Sequence, residues 1–209
     1  PGKGGKKALT MVDVNTQEHQ NELANYLFKE TEYKSQYFPT NTIKGTQLMY
    51  PYFEVPGSCP GCGETPYYRL ASQLFGRDMM IANATGCTSI YCGSSPSTPF
   101  ATDKNGEGMV WANSLFEDNA EFGFGMKWAA LYKANRINEI MEETKNDVEP
   151  MLAELFTQYQ ENIGNREVER KLAPKLVELL KVTKCEAAKE LLKFERDLVS
   201  KSVWIIGGD

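Results

Sequence analysis

The sequence lacks long hydrophobic runs, an excess of basic residues and more than one histidine. Although 41% of its 209 residues are hydrophobic, no apolar run reaches the roughly 20 residues that a transmembrane helix requires. A formal net charge of −5 gives no basic face for nucleic acid. His19, on a surface helix predicted over residues 15–30, has no partner that suggests catalysis. We therefore expect neither a membrane nor a nucleic acid as a partner.

Cysteine is too scarce for a disulfide scaffold. Such scaffolds are small, secreted and rich in cysteine, whereas this acidic chain has five cysteines, an odd number. No signal peptide is visible, because no apolar segment follows the opening Pro-Gly-Lys-Gly-Gly-Lys-Lys. These features indicate a reducing compartment and thiols that bind metal. The initial proline and the final Gly-Gly-Asp also suggest that both ends were cut from a longer chain.

Hydrophobic patterns predict an α/β fold with a helical insertion. Residues 79–82 and 203–206 are short apolar runs that are typical of buried strands. Helices are predicted from Thr65-Pro66 to a cap at Gly76 and within residues 114–144. Residues 146–201 are charge-rich and almost free of glycine, and their leucine stripes predict a helical hairpin or a three-helix insertion.

Two glycines and one cysteine in these helical regions have individual interpretations. Gly123 and Gly125 weaken the start of the long helix by roughly 1 kcal/mol each relative to alanine. Such glycines indicate the close approach of another backbone or of a ligand. Cys185, far from the other cysteines, is interpreted as a structural free thiol. Asp118 and Asn119 are interpreted as helix caps rather than ligands.

Four cysteines, Cys59, Cys62, Cys87 and Cys92, lie between residues 57 and 93 in glycine-containing turns. One hypothesis is a structural zinc site that uses all four thiolates. The other is an iron–sulfur cluster held by the first three, with its fourth ligand outside this chain. Spacing slightly favours zinc. The Gly-Glu-Thr-Pro after Cys62 and the strand-end Thr85-Gly86-Cys87 favour the cluster, since a zinc knuckle requires neither.

The chain ends with a second candidate ligand site. The predicted strand at residues 203–206 opens into Gly207-Gly208-Asp209. Backbone N–H groups of such a turn can face phosphate oxygens, and the carboxylate can hold Mg²⁺. An ordinary turn is the alternative interpretation of so short a motif.

Five segments form a series of recognisable motifs. They are Cys-x-Gly-Cys-Gly-Glu-Thr-Pro-Tyr at 59–67, Asn-Ala-Thr-Gly-Cys-x-Ser-Ile at 83–90, Pro-Ser-Thr-Pro at 96–99, Trp-Ala-Asn-Ser-Leu-Phe-Glu-Asp-Asn-Ala-Glu at 111–121 and Gly-Gly-Asp at 207–209. In this order they resemble pyruvate:ferredoxin (flavodoxin) oxidoreductase, specifically the first part of its C-terminal thiamine-diphosphate-binding domain. The resemblance runs from about residue 8 to the end and is weakest in the helical insertion.

The resemblance implies an enzyme that oxidatively decarboxylates pyruvate to acetyl-CoA and CO₂. Thiamine diphosphate with Mg²⁺ would carry the carbon chemistry, and 4Fe–4S clusters would pass electrons to ferredoxin or flavodoxin. Coenzyme A, the remaining domains of the same enzyme and a second copy in a homodimer are the other implied partners. We expect the cytoplasm of an anaerobic cell, with the hydrogenosome or another organelle as the alternative. This chain alone should not turn over.

Site residues follow from the motifs that match the family. Cys59, Cys62 and Cys87 correspond to three ligands of the 4Fe–4S cluster nearest the thiamine, while Cys92 stands where relatives usually have glycine and is expected not to bind metal. Residues expected at the thiamine diphosphate site are Glu64, Thr85, Gly86, Cys87, Gly207, Gly208 and Asp209, with Asp209 as the Mg²⁺ ligand. The alternative interpretation of Glu64 is a carboxylate favoured by the helix dipole.

The implied organisation has four parts. They are a linker after a ferredoxin-like domain at 1–14, the first part of the thiamine-diphosphate and iron–sulfur domain at 15–145, the helical insertion at 146–201, and a strand with the start of the Mg²⁺-diphosphate motif at 202–209. The alternatives to this function are a zinc-stapled, non-catalytic binding module and a related 2-oxoacid or NADP-linked oxidoreductase. The choice of pyruvate rests entirely on the resemblance.

Overall fold

A computed structural model describes residues 10–93 and 98–207. Most of the predicted linker, and Gly208 and Asp209 of the predicted magnesium motif, lie outside the described residues. The chain divides into two compact units. The smaller unit comprises residues 1–50 with 103–107, and the larger comprises residues 51–102 with 108–209. The domain boundaries expected from the sequence stay a prediction.

The smaller unit consists of short helices with almost no interior. Its elements are a 3₁₀ turn at Val14–Gln17, α1 at Glu18–Asn25, a π-helical turn at Tyr26–Glu30, a 3₁₀ turn at Ser35–Tyr37 and α2 at Ile43–Thr46. This confirms the helix predicted over residues 15–30, on which His19 is exposed. Of the described residues in this unit, only Gly45 and Thr46 are buried, so it has no hydrophobic core of its own.

The larger unit is built on a three-stranded parallel sheet with the order β2-β1-β3. The strands are β1 at Met79–Ala84, β2 at Val110–Ser114 and β3 at Ser202–Ile206. The central strand β1 is almost entirely buried, which is why its sequence reads as a continuous apolar run. The predicted strands β1 and β3 are confirmed. Strand β2 was not predicted, because it lacks such a run, whereas β3 has one although it is also only partly buried.

Helices cover the sheet and continue beyond it. Thr65–Phe75 forms α3, Cys87–Gly93 forms α4 and Asn119–Thr144 forms the long α5. Gly76 is the C-terminal cap of α3, as predicted, and its φ is −49°. A Cβ there would lie 2.5 Å from the Tyr52 ring. Gly123 is approached closely by a side chain rather than by the predicted backbone or ligand, since a Cβ there would lie 2.4 Å from Ile205 Cγ1, and Gly125 has open space.

Residues after α5 form a helical layer, as predicted for the insertion. Its elements are α6 at Pro150–Glu161, α7 at Arg166–Val182, α8 at Glu186–Lys189 and a 3₁₀ segment at Glu190–Asp197. Their apolar stripes pack together with Ile137, Ile140 and Met141 from the second half of α5. The core of this layer is therefore shared with a helix that also packs on the sheet. The fold class is α/β, with a partial sheet of the thiamine-diphosphate-binding type and added helices.

Within the described residues, no helix combines the length and the apolar character needed to cross a membrane.

Candidate functional site

The candidate site lies where β1 and β3 end. Thr85 and Gly86 follow β1 directly and lead into α4, which begins at Cys87. Gly207 follows β3, the parallel neighbour of β1. Because the carboxyl ends of parallel strands meet at one edge of a sheet, the two predicted cofactor-binding segments are brought to the same edge. The motif at 83–90 and Gly207, the first residue of the motif at 207–209, are thus neighbours in the fold.

A groove of about 540 Å³ opens beside this edge. Its walls are mostly apolar and come mainly from α3 and β3, and one carboxylate and three residues with a hydroxyl group are among them. The residues that line it are Glu64, Tyr67, Tyr68, Leu70, Ala71, Leu74, Phe75, Thr88, Trp204, Ile206 and Gly207. An apolar groove with a few fixed polar groups is typical of a cofactor or small-molecule site.

A buried asparagine connects the elements around the groove. Asn83, fully buried near the end of β1, accepts hydrogen bonds from the hydroxyl of Tyr68 and from Trp111 Nε1, the latter at 3.3 Å. Its amide donates to Ala84 O at 2.6 Å and to Thr88 Oγ1 at 2.8 Å. Thr88 Oγ1 in turn donates to the carbonyl of Gly207 at 3.4 Å. These bonds fix α3, β2, α4 and the end of β3 around one side chain.

Glu64 is also held from a different element. Its Oε2 accepts a hydrogen bond of 3.1 Å from the hydroxyl of Tyr91, which lies on α4. Glu64 itself occupies the N-cap position of α3, but its side chain makes no capping hydrogen bond. The carboxylate therefore lines the groove and is bound to a neighbouring helix. Its place at the start of α3 also agrees with the alternative interpretation of a carboxylate favoured by the helix dipole, so its role as a cofactor ligand stays a prediction.

Thr85 and Gly86 are engaged in local hydrogen bonds. The Thr85 hydroxyl donates to Ser114 O at 2.9 Å, which joins the turn after β1 to the end of β2. The Gly86 N–H donates to Ser89 Oγ at 3.0 Å. The roles of these residues as cofactor ligands stay a prediction.

Cys92 is separated from the other clustered cysteines by its burial. It is 1% exposed and packs in an aromatic cluster with Phe53, Tyr68 and Tyr91. Burial raises the pKa of the Cys92 thiol to about 12, and a hydrogen bond with Tyr68 offsets only part of this effect. The thiolate, not the thiol, binds metal. Cys92 is thus a neutral core thiol at physiological pH.

Cys59, Cys62 and Cys87 are accessible by comparison. Cys59 and Cys87 are exposed and Cys62 is half-buried. Cys59 and Cys62 bracket a turn closed by a 3.1 Å hydrogen bond from Cys62 N to Cys59 O, with Gly61 at φ +74°. That left-handed conformation is one that glycine adopts without strain. Cys87 occupies the first position of α4.

The arrangement of the possible metal ligands bears on the zinc hypothesis and on the iron–sulfur hypothesis. Across residues 10–93 and 98–207, no three His, Cys, Asp or Glu side chains are grouped so that they could hold one metal ion. This arrangement does not match a tetrahedral zinc ion bound by four thiolates, and the burial of Cys92 argues further against it. A 4Fe–4S cluster places its thiolates on different iron atoms, so its ligands lie farther apart. Cys59, Cys62 and Cys87 have the thiol chemistry that such a cluster requires, and their role as its ligands stays a prediction.

Two residues interpreted as helix caps act differently. Asp118 is at the N-cap position of α5 without a side-chain capping bond. The Asn119 amide donates to Ile206 O at 3.0 Å and to Ala82 O at 3.4 Å, and its Oδ1 accepts from Ser114 Oγ at 2.8 Å. Asn119 therefore joins the ends of all three strands.

Sequence reasoning missed the residues that hold the site together. Asn83, Tyr68, Thr88 and Tyr91 make no metal or phosphate motif, so they carried no signal of chemistry. One signal was available for Asn83, since it is a polar residue at the end of a buried apolar run, and buried amides are almost always hydrogen-bonded.

The larger unit is a partial α/β domain, consistent with the thiamine-diphosphate-binding fold, with a groove at the ends of its parallel strands. No family model matches the chain. Individual relatives do match it. It is 46% identical over 167 residues to a probable pyruvate-flavodoxin oxidoreductase of Escherichia coli, which covers 80% of this chain and 14% of the relative.

Two further relatives extend the similarity over nearly the whole chain. A pyruvate:ferredoxin oxidoreductase of Moorella thermoacetica is 42% identical over 97% of this chain and 18% of its own length. A pyruvate-flavodoxin oxidoreductase of Klebsiella pneumoniae is 40% identical over 100% of this chain and 18% of its own length. The chain spans less than a fifth of the length of these curated relatives. The resemblance to a segment of pyruvate:ferredoxin (flavodoxin) oxidoreductases is thereby confirmed.

Proposed function

We propose that this chain supplies one side of the thiamine diphosphate site, and three ligands of the adjacent 4Fe–4S cluster, in an enzyme that oxidises pyruvate to acetyl-CoA and CO₂. The observation that carries this proposal is the groove at the ends of β1 and β3, which has Glu64 in its wall. Glu64 stands two residues after Cys62, and Cys87 begins the helix that supplies Thr88 to the same groove.

The lining of the groove fits an aromatic heterocycle joined to a charged tail. Phe75 and Trp204 form an apolar wall, with ring centroids 5.3 Å apart, against which a flat ring can pack without water. Glu64 supplies an acceptor for an N–H of that ring. Gly207, at the end of β3, lies where Gly208 and Asp209 would bring backbone N–H groups and a carboxylate to diphosphate and Mg²⁺.

When bound, thiamine diphosphate would stabilise the negative charge that the loss of CO₂ from a 2-oxoacid leaves on carbon. The residues of this chain would bind and orient the cofactor. Glu64 holds a ring N–H, and the apolar walls exclude water, which strengthens the polar contacts inside the groove. The Asn83 network keeps Thr88 and the Gly207 carbonyl at a fixed separation. Cys59, Cys62 and Cys87 would hold the 4Fe–4S cluster, which is the first acceptor of electrons, close to the groove.

The remaining parts of the proposal come from the relatives. Pyruvate, and ferredoxin or flavodoxin as the final electron acceptor, are proposed from the names of the relatives. Coenzyme A, the other domains of the enzyme, a homodimer and an anaerobic cytoplasm are proposed only from what the family resemblance implies. A zinc-stapled binding module is the less favoured candidate, because the buried Cys92 thiol is not available as a fourth ligand.

The test is the metal and cofactor content of a full-length enzyme carrying this sequence, purified without oxygen. We expect a brown protein with iron, acid-labile sulfide and bound thiamine diphosphate. Cys59→Ser, Cys62→Ser and Cys87→Ser should each lose iron and sulfide from one cluster, while Cys185→Ser, in the helical layer, should lose none. A colourless protein with stoichiometric zinc would contradict the proposal.

A further inference from the structure

Tyr91 is a buried residue whose only polar atom beyond the backbone touches the candidate site. It is 3% exposed, and its hydroxyl donates to Glu64 Oε2 at 3.1 Å. Burial, and then the bond to Glu64, raise the pKa of the Tyr91 phenol well above its usual value. The hydroxyl therefore stays protonated over the working range of an enzyme and remains a donor.

The Tyr91 ring is fixed by its neighbours. It meets Phe53 edge to face at 6.2 Å between centroids and Tyr68 at 5.9 Å. Phe53 and Tyr68 are themselves buried and stacked on each other. The hydroxyl is thus presented from a rigid cluster, whereas Glu64 is only half-buried and has three side-chain torsions to restrict.

The hydrogen bond from Tyr91 gives the two carboxylate oxygens of Glu64 different roles. Oε2 is bound to Tyr91. In the described part of the chain, Oε1 accepts no hydrogen bond, and Glu64 lines the groove. An ionised carboxylate can accept several hydrogen bonds, so Oε1 remains available to an N–H donor of a groove ligand. The rigid Tyr91 hydroxyl favours the Glu64 rotamer in which Oε2 is bound to Tyr91 and Oε1 is available to the ligand.

We propose that Tyr91 is a positioning residue for the thiamine diphosphate site, which holds the Glu64 carboxylate in the orientation that receives a ring N–H of the cofactor. The inference rests on the proposed function. Tyr91 belongs to α4, the helix that begins at Cys87, and Glu64 follows Cys62. The same bond therefore joins the two segments that carry the proposed cluster ligands.

The experiment uses Tyr91→Phe in the full-length enzyme, because it removes the hydroxyl and keeps the ring contacts. Affinity for thiamine diphosphate is measured with Mg²⁺ present by titration calorimetry and by the fluorescence of Trp204 in the groove wall. Loss of one hydrogen bond to a charged group should weaken binding about 10-fold. Tyr159→Phe is the matched control, since Tyr159 is 5% exposed and donates a 2.9 Å hydrogen bond to Leu198 O in the helical layer.

A double-mutant cycle separates positioning from a general loss of stability. In a Glu64→Ala background, Tyr91→Phe should cause no further loss of thiamine diphosphate affinity. Additive losses, or an affinity equal to wild type in Tyr91→Phe alone, would overturn the inference. If Tyr91→Phe does not fold, Glu64→Asp replaces it: the shorter carboxylate leaves the aromatic cluster intact but lies out of reach of Tyr91, and unchanged affinity would again overturn the inference.

The experiment distinguishes failure of the proposed function from failure of the role proposed for Tyr91. If wild-type enzyme, shown to be folded, binds no thiamine diphosphate, the proposed function is wrong. If wild type binds it and Tyr159→Phe weakens binding as much as Tyr91→Phe does, the function stands and the role of Tyr91 is wrong.

Discussion

At the scale of single residues, burial separates cysteines that look equivalent in the sequence. Cys87 and Cys92 both lie on α4, one at its first position and one at its sixth. The first is exposed and the second is 1% exposed with a raised pKa. A spacing rule counts both as ligands, but only a thiol that can ionise without being buried among aromatic rings is available for metal.

We predict that Cys92→Ala leaves the iron and sulfide content of the full-length enzyme unchanged. The substitution should lower the free energy of unfolding by about 1–2 kcal/mol, because it removes a buried sulfur from a packed aromatic cluster. Iron analysis and urea unfolding measure the two effects. Cys87→Ala is the comparison on the same helix, and it should lose iron. Loss of iron from Cys92→Ala would contradict the expectation that Cys92 does not bind metal.

Residues with a chemical signature could be predicted from the sequence, and residues with only a structural role in the site could not. Glu64 and the cysteines stand in a distinctive motif, and the structure places Glu64 in the groove wall. Asn83 and Tyr91 act through hydrogen bonds to partners 5 and 27 positions away. The tertiary fold determines these hydrogen-bond partners, so a local sequence pattern does not predict them.

At the scale of secondary-structure elements, α6 and α7 are joined by a carboxylate between their ends. Glu149, just before α6, accepts hydrogen bonds from Thr183 Oγ1 at 2.6 Å and Lys184 N at 3.3 Å, just after α7. The Thr183 hydroxyl, followed by backbone N–H groups, holds the pKa of Glu149 below its ordinary value of 4.5. This contact favours the ionised carboxylate in the folded state.

We predict that Thr183→Val makes stability less dependent on pH in the acid range. A depressed pKa stabilises the folded state above the unfolded pKa, and this contribution is lost as pH falls through the folded pKa. The variant should therefore be less stable than wild type near neutral pH, and the difference should shrink as pH falls below 4.5. Urea unfolding over a pH series measures it.

Thr157→Val is the control for this effect, because the Thr157 hydroxyl donates to Ala153 O within α6 and contacts no carboxylate. The decrease in the free energy of unfolding caused by Thr157→Val should be the same at every pH. A pH-independent cost for Thr183→Val would contradict the role given to Glu149.

Element prediction succeeded where one face or both faces of an element are buried. Strand β1 is buried on both sides, and α7 carries Leu172, Leu176 and Leu180 on one face. Strand β2 failed this test, since Val110 is exposed and only the pairing with β1 makes the segment a strand. An edge strand of a parallel sheet owes its conformation to its neighbour, and its own sequence need not show it.

At the scale of the whole molecule, the helical layer and the sheet of the larger unit are joined at the end of the sheet opposite the groove. Glu169 on α7 is fully buried, and its carboxylate accepts hydrogen bonds from Gly164 N, Ser200 N and Ser200 Oγ at 2.6 to 2.8 Å. The next residue, Arg170, pairs with Asp78 just before β1. Adjacent residues of one helix therefore hold the starts of both β1 and β3.

The long helix α5 provides a second connection. Its first half packs on the sheet, where Gly123 contacts Ile205, and its second half contributes Ile137 and Met141 to the helical core. Two independent connections make it difficult for one layer to unfold while the other stays intact. We therefore expect the larger unit to unfold as one cooperative structure.

We predict that Glu169→Gln lowers the free energy of unfolding by about 1–3 kcal/mol without separating the two layers. The amide cannot accept all three buried hydrogen bonds, so at least one donor loses its partner. Far-UV circular dichroism reports mainly the helices. In a Trp128→Phe background, which removes the tryptophan of α5, the fluorescence of Trp111 and Trp204 reports the sheet. Both should show the same lowered midpoint in urea, because α5 still connects the layers. Glu178→Gln, at an exposed position of α7, should leave it unchanged. Two distinct transitions in Glu169→Gln would show instead that Glu169 is the principal connection and that α5 alone does not couple the layers.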